Sequence, residues 1–198
     1  MYPKARIDAL TDGLFAVAMT ILVLDLKLPD GFRPGDAGAL VQSLRELWPK
    51  FLPYVLSFYV LGSTWLSSIK IRSRGDVVDK RYAFWWLLYL LLATCLPFST
   101  SVVGQFAHYG PGVWLYSFNL AGLAACGYRL MMLLPNVESD EHVRDRKVSL
   151  LLLMATCALC AALSLISPGK ALWVYLLNIG APHLARWIGT KQRSQDKT

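Results

Sequence analysis

The sequence predicts an all-α integral membrane protein with six transmembrane helices in a single domain covering residues 1–198. Three observations predict it. Of the 198 residues, 55% are hydrophobic and only 17% charged, where roughly a quarter is usual, and the mean hydropathy is positive at +0.42. The apolar residues fall in blocks of about 20, the length that crosses a hydrocarbon core of roughly 30 Å as a helix. Lys and Arg residues alternate between the connecting segments, fifteen on one side and five on the other. Positive segments stay cytoplasmic during insertion, so both termini are expected in the cytoplasm. The net charge of +7 is then an insertion bias. A nucleic-acid surface would need a soluble face to carry it, and nucleic acid is excluded as a partner.

The first span is expected at 7–28. Lys4 and Arg6 ahead of an apolar run look like the start of a cleaved leader, but the run holds Asp8 and Asp12 and lacks a small-residue cleavage site, so it reads as a retained helix. The segment 29–35 is rich in turn residues. Asp36 is placed to cap a short helix through Leu47 lying at the membrane surface. Further spans follow at 51–69, 84–106, 113–134, 148–166 and 172–188. Pro97 lies inside the third and is expected to kink it, with Ser99 or Thr100 helping to satisfy the freed backbone. All four cysteines, Cys95, Cys126, Cys157 and Cys160, fall inside spans, where a thiol packs as a small apolar group. Cys157-x-x-Cys160 has no histidine beside it and is not read as a metal site. The run 138–147 mixes signs and reads as a solvated loop, with His142 its one feature for pH or partner sensing. Asn178, Gly180, Pro182, His183 and Arg186 make the last span polar and bent.

The first span carries the functional signal. Only 13–24 is free of charge, and twelve residues rise about 18 Å, short of the hydrocarbon thickness. Asp12 or Asp25, or both, therefore sit near or inside the membrane, where a carboxylate costs several kcal/mol unless it faces protein or water. On a helix with Val17 at zero, Gly13 falls at about −40°, Thr20 at −60°, Ile21 at +40° and Leu24 at −20°, one narrow stripe. Asp12 falls at about −140°, towards neighbouring helices, and Arg6 at about −20°. The stripe suits either a pore lining or a packed helix interface. Arg6 and Asp12 suit either a buried polar network with hydroxyls such as Thr11 and Ser68, or a boundary arginine and a snorkelling carboxylate. Asp25 suits an outer mouth that concentrates cations, or ordinary boundary solvation.

Arg6-x-x-x-Leu10-Thr11-Asp12-Gly13, then Phe15-Ala16-x-Ala18-x-Thr20 and Leu24-Asp25-Leu26-Lys27-Leu28-Pro29, resembles the first-helix signature of bacterial homologues of the lysosomal potassium channel, the transmembrane protein 175 family. The family's Arg-x-x-x-Phe-Ser-Asp has Leu10 and Thr11 in place of its Phe and Ser here. Ser57-Phe58, Trp65 and Leu96-Pro97-Phe98-Ser99-Thr100 also match its pattern. A His-His pair common after the second-span tryptophan is replaced by Ser68-Ile69, so a hydroxyl stands where the family places a titratable partner for its arginine and aspartate.

The resemblance implies a homotetramer in the bacterial inner membrane, with the first helix of each subunit lining a central pore and potassium as the permeant ion. It implies no cofactor, no catalytic residue and no metal beyond the permeating ion; membrane lipid is the other partner. By position, Val17 corresponds to the constriction, Thr20 to a hydroxyl layer and Leu24 to a further apolar ring, with Ile21 beside them. A dry apolar throat gates by excluding water. Two other classes compete with this reading. A secondary transporter would use Asp12 as a proton or cation site, but is expected to show matched halves with broken helices, and no internal repeat is visible. An intramembrane enzyme would need carboxylates converging from separate elements, whereas Asp8 and Asp12 share one helix and the Gly35-Asp36 and Gly75-Asp76 pairs lie outside the spans.

Overall fold

The computed structural model describes residues 2–29, 31–71, 77–133 and 141–177. Helices dominate it: α1 (Lys4–Ile21), continued by a 3-10 turn over Leu22–Asp25, α2 (Ala37–Glu46), α3 (Trp48–Ile71), α4 (Lys80–Phe106), α5 (Gly110–Met132), α6 (Glu141–Leu163) and α7 (Pro168–Ala171), which runs into a 3-10 turn over Leu172–Leu176. Two short strands, β1 (Tyr2–Pro3) and β2 (Val77–Val78), pair antiparallel with Tyr2 opposite Val78. Lys4–Asp25, Lys80–Phe106 and Val143–Leu163 are long and apolar enough to cross a membrane by length and composition.

Each long helix starts earlier than its apolar block. The first, expected at 7–28, is helical over Lys4–Asp25 instead. Its far end tightens to 3-10 geometry and stops at Leu26 (φ −84°, ψ 62°). The third is continuous through Pro97, and the Ser99 and Thr100 hydroxyls both donate to the Leu96 carbonyl, at 3.0 and 2.7 Å. The fourth and fifth begin at Gly110 and Glu141 rather than at 113 and 148. The last, expected at 172–188, begins with the short α7, and its part beyond Leu177, with Asn178, His183 and Arg186, lies outside the described residues, as does the His142 side chain. The short helix expected after Asp36 is present as α2. Asp36 caps it by accepting from the Ala39 N–H at 2.7 Å, and Gly31 (φ 77°) makes the turn before it in the left-handed region.

Packing follows from which stripe of each helix is inward. The α4 helix packs on α1, α3 and α5, and α5 packs on α6. Between them lies one continuous core that includes Phe15, Leu61, Leu96, Tyr116, Leu120 and Cys160. Midway along the bundle, hydroxyls and an amide bridge four helices. Ser57 meets Thr100 at 2.7 Å and Tyr116 at 3.0 Å, Asn119 donates to Ser99 at 2.9 Å, and Tyr175 donates to Ser117 at 2.8 Å. In an apolar solvent such groups must find partners inside the protein. The thiol of Cys160 donates to the Ala171 carbonyl at 3.3 Å and so helps seat α7.

Candidate functional site

The two faces of α1 have different surroundings. Thr11, Phe15, Ala18 and Leu22, spaced by 4, 3 and 4 residues, are 5, 1, 3 and 2% exposed and form the seam against α3 and α4. Phe15 packs on Tyr89 with ring centroids 6.0 Å apart. The other face carries Val17, Ile21 and Leu24, exposed at 53, 44 and 67% in the single chain. Gly13 lies on this face with nothing within 4 Å of the position a Cβ would take. Exposed apolar groups alone would suit lipid, but a glycine and a threonine among them suit a close approach of helices. Thr20 donates its hydroxyl proton to the Val17 carbonyl at 2.8 Å. That leaves the oxygen lone pairs facing outward as acceptors.

Polar contacts hold the buried face in place at both ends. Near the start of α1, Trp65 of α3 donates its indole N–H to Asp12 Oδ1 at 2.9 Å, and Trp86 of α4 donates to Thr11 Oγ1 at 2.9 Å. Thr11 in turn donates to the Ile7 carbonyl at 2.8 Å. At the other end Asp25 accepts from Ser101 of α4 at 2.8 Å, and Gln105 donates to Ser101. Asp12 therefore points into neighbouring helices, on the side its helical angle indicates. The remaining expected members are placed differently. Arg6 is exposed, and Ser68 donates to its own helix at the Trp65 carbonyl, 2.6 Å away, while lining a cavity that Thr11 also lines.

Sequence reasoning missed the other half of this cluster. Arg146, read as part of a solvated loop, stands on the second turn of α6 and donates from Nη2 to Thr64 Oγ1 at 2.9 Å. Its burial was signalled by phase: Val143, Arg146, Leu150, Leu153, Cys157 and Cys160 recur every 3 or 4 residues along one stripe, and the apolar members are buried. Lys4, read as a topological marker, is 5% exposed and lines the same cavity. Arg129, by contrast, stacks over the Trp85 ring, 5.4 Å from its centroid.

Comparison with known proteins places this arrangement. A family model described as endosomal/lysosomal potassium channel TMEM175 matches residues 6–97, which take in α1, α3 and much of α4. A potassium channel of Streptomyces collinus is 34% identical over 106 residues, covering 54% of this chain and 50% of that protein. One of Chamaesiphon minutus is 36% identical over 101 residues, covering 51% and 49%. In sequence, the chain thus spans about half the length of these relatives. The human endosomal/lysosomal proton channel TMEM175 is 36% identical over 72 residues, 32% of this chain and 14% of that one. In structure the similarity is broader. The crystal structure of a lysosomal potassium-selective channel TMEM175 homologue from Chamaesiphon minutus superposes with a TM-score of 0.76 at 27% identity, covering 92% of this chain and 97% of that one. All of these are described as channels.

Proposed function

We propose, from its similarity to the TMEM175 channels, that the chain is one subunit of a potassium-selective leak channel, a homotetramer with α1 innermost. The observation that carries the proposal is the division of α1 into a seam that is at most 5% exposed and an opposite stripe of Val17, Ile21 and Leu24 that stays 44–67% exposed in the single subunit. Four such stripes around an axis bury one another and leave an apolar throat.

In this reading the single domain crosses the bacterial inner membrane six times, with both termini cytoplasmic. Val17 forms the constriction, and Leu24 a second apolar ring. Water leaves such a throat readily, so a cation passes only by shedding hydration. The Thr20 oxygens, with their protons turned inwards to the Val17 carbonyl, offer lone pairs that replace part of it. Potassium holds its water less tightly than sodium and gains more from this exchange. Potassium is the permeant ion, lipid the surrounding partner, and no cofactor is required. Asp25, tied to Ser101, sits at the outer mouth. The alternative use of Asp12 as a coupled-transport site gains nothing from its position, because Trp65 already occupies one of its oxygens.

The test is ion flux into liposomes holding the purified protein under an imposed gradient, beside a Val17→Asn variant. Potassium flux above sodium flux, with the preference weakened in the variant, is expected. Absence of flux from folded protein, or identical ion ratios in the variant, overturns the reading.

A further inference from the structure

The short helix α2 and the start of α3 carry an apolar surface that the channel reading does not use. Along α2, Leu40, Val41 and Leu44 lie on one side and are exposed, while Gln42 and Glu46 lie on the other, bonded to each other at 3.1 Å. Leu47, between the two helices, is buried and seats the junction. Trp48 follows it and is 72% exposed. Val41, Leu44, Arg45 and Trp48 line one open groove of about 480 Å³, so a guanidinium stands at the edge of apolar walls. From Trp48 the apolar surface runs on along α3 through Phe51, Val55 and Phe58, spaced by 3, 4 and 3 residues and all exposed. Neighbouring rings, with Tyr54 among them, stand 6.0 to 6.5 Å apart. The rise from Trp48 to Phe58 is about 15 Å at roughly 1.5 Å per residue, the depth of one leaflet in a hydrocarbon core of roughly 30 Å.

We propose that this surface binds one phospholipid of the outer leaflet, with its phosphodiester on Arg45 and an acyl chain along Trp48, Phe51 and Phe58. The order along the surface is a cation, then an indole, then apolar side chains, which is the order of headgroup, interface and tail in a lipid. The guanidinium fork meets two phosphate oxygens at once. A stripe one side chain wide and one leaflet long fits a lipid tail and is narrow for a protein interface, which takes on the order of 800 Å² from each partner. Placing α3 across the membrane, with Trp48 near its outer face, rests on the channel reading above. Because α2 joins the end of α1, latched by Asp25 on Ser101, to the start of α3, the bound lipid moors the outer mouth to the bilayer surface.

The test uses the full chain in neutral detergent micelles, read by native mass spectrometry, with phosphatidylglycerol and diacylglycerol of the same tails as probes. Phosphatidylglycerol is expected to stay bound, and diacylglycerol, which lacks the phosphate, to be lost. Arg45→Gln should weaken phosphatidylglycerol retention by about tenfold, the worth of one charge-assisted hydrogen bond. Trp48→Ala and Phe58→Ser should each weaken it several-fold through lost contact with the tail. Arg33→Gln removes a cation at the same end but outside the groove and should change nothing. Arg45 and Trp48 are exposed, so their variants keep the fold. A second copy of the chain as occupant shows instead as a changed subunit number in Trp48→Ala or Leu44→Gln with lipid retention unaltered, and overturns the proposal. Equal retention of the two probes overturns it too, as does equal retention by Arg45→Gln, Trp48→Ala and the unsubstituted chain. Binding is read without ion flux, so lipid retained by a non-conducting protein refutes the channel reading alone, and flux without retained lipid refutes this site alone.

Discussion

Trp65 and Asp12 lie 53 residues apart in the chain and meet at 2.9 Å, an indole N–H donating to a carboxylate between α3 and α1. A hydrogen bond to a charged group contributes roughly 1.5–3 kcal/mol in proteins. Interhelical polar contacts in membrane proteins run lower, averaging about 0.6 and reaching about 1.7 kcal/mol, because the separated helices also find partners. The acceptor is partly rather than fully buried, but the distance is ideal and the acceptor is a carboxylate. Both point to the upper part of the membrane range, about 1.5 kcal/mol, or roughly tenfold in an equilibrium constant. A double-mutant cycle isolates this term: Trp65→Phe removes the donor, Asp12→Ala removes the acceptor, and the pair is combined. Reversible unfolding in mixed micelles supplies the four free energies. Effects that add to within about 0.3–0.5 kcal/mol, the scatter expected of independent sites, would refute the assignment of this pair as the clasp between the two helices.

Three further outcomes follow from the packing. Phe15→Ala removes a ring that is 1% exposed and stacked near Tyr89, and should destabilise the subunit by about 3–5 kcal/mol in the same unfolding assay. Gly112→Ala places a methyl 2.9 Å from the Phe106 carbonyl oxygen, backbone that cannot swing aside; a loss of about 1–3 kcal/mol is expected, against near-neutrality for Gly13→Ala, which meets nothing within 4 Å in the isolated subunit. Thr20→Val keeps the shape and deletes the outward oxygen, so liposome flux should keep its rate within a few-fold while the preference for potassium over sodium falls; an unchanged preference would remove Thr20 from the selectivity mechanism.

The long helices were legible in the sequence because each is built on an apolar block, and the two faces of α1 because a period of 3.6 residues separates Gly13, Val17, Ile21 and Leu24 from Thr11, Phe15, Ala18 and Leu22. The cap at Asp36 was legible because capping is local. Helix starts were less so: Lys80, Arg81 and the mostly polar run 141–147 continue a helix beyond its apolar core, and hydropathy does not see them. The cavity was hardest, since it is assembled from five helices and its two cations look, along the chain, like ordinary topogenic charges. The phase of Arg146 with Leu150 and Leu153 was the one local sign that it turns inwards. The 3-10 turn at Leu22–Asp25 was not signalled by composition, since the contact between Asp25 and Ser101 joins residues 76 apart in the chain.

The start of α1 is stitched by the pairing of Tyr2 and Pro3 with Val78 and Val77, and its far end is latched by Asp25 on Ser101. A rod fixed at both ends has few ways to move. Sliding by one residue is about 1.5 Å of travel along the axis and would have to break the stitch and the latch together. Turning about its own axis or bowing at the middle strains each by much less. Any rearrangement of this helix between its anchors is therefore expected to be a twist or a bow and not the stroke of a piston, with Gly13, which has nothing within 4 Å of the position a Cβ would take, as its least resisting point.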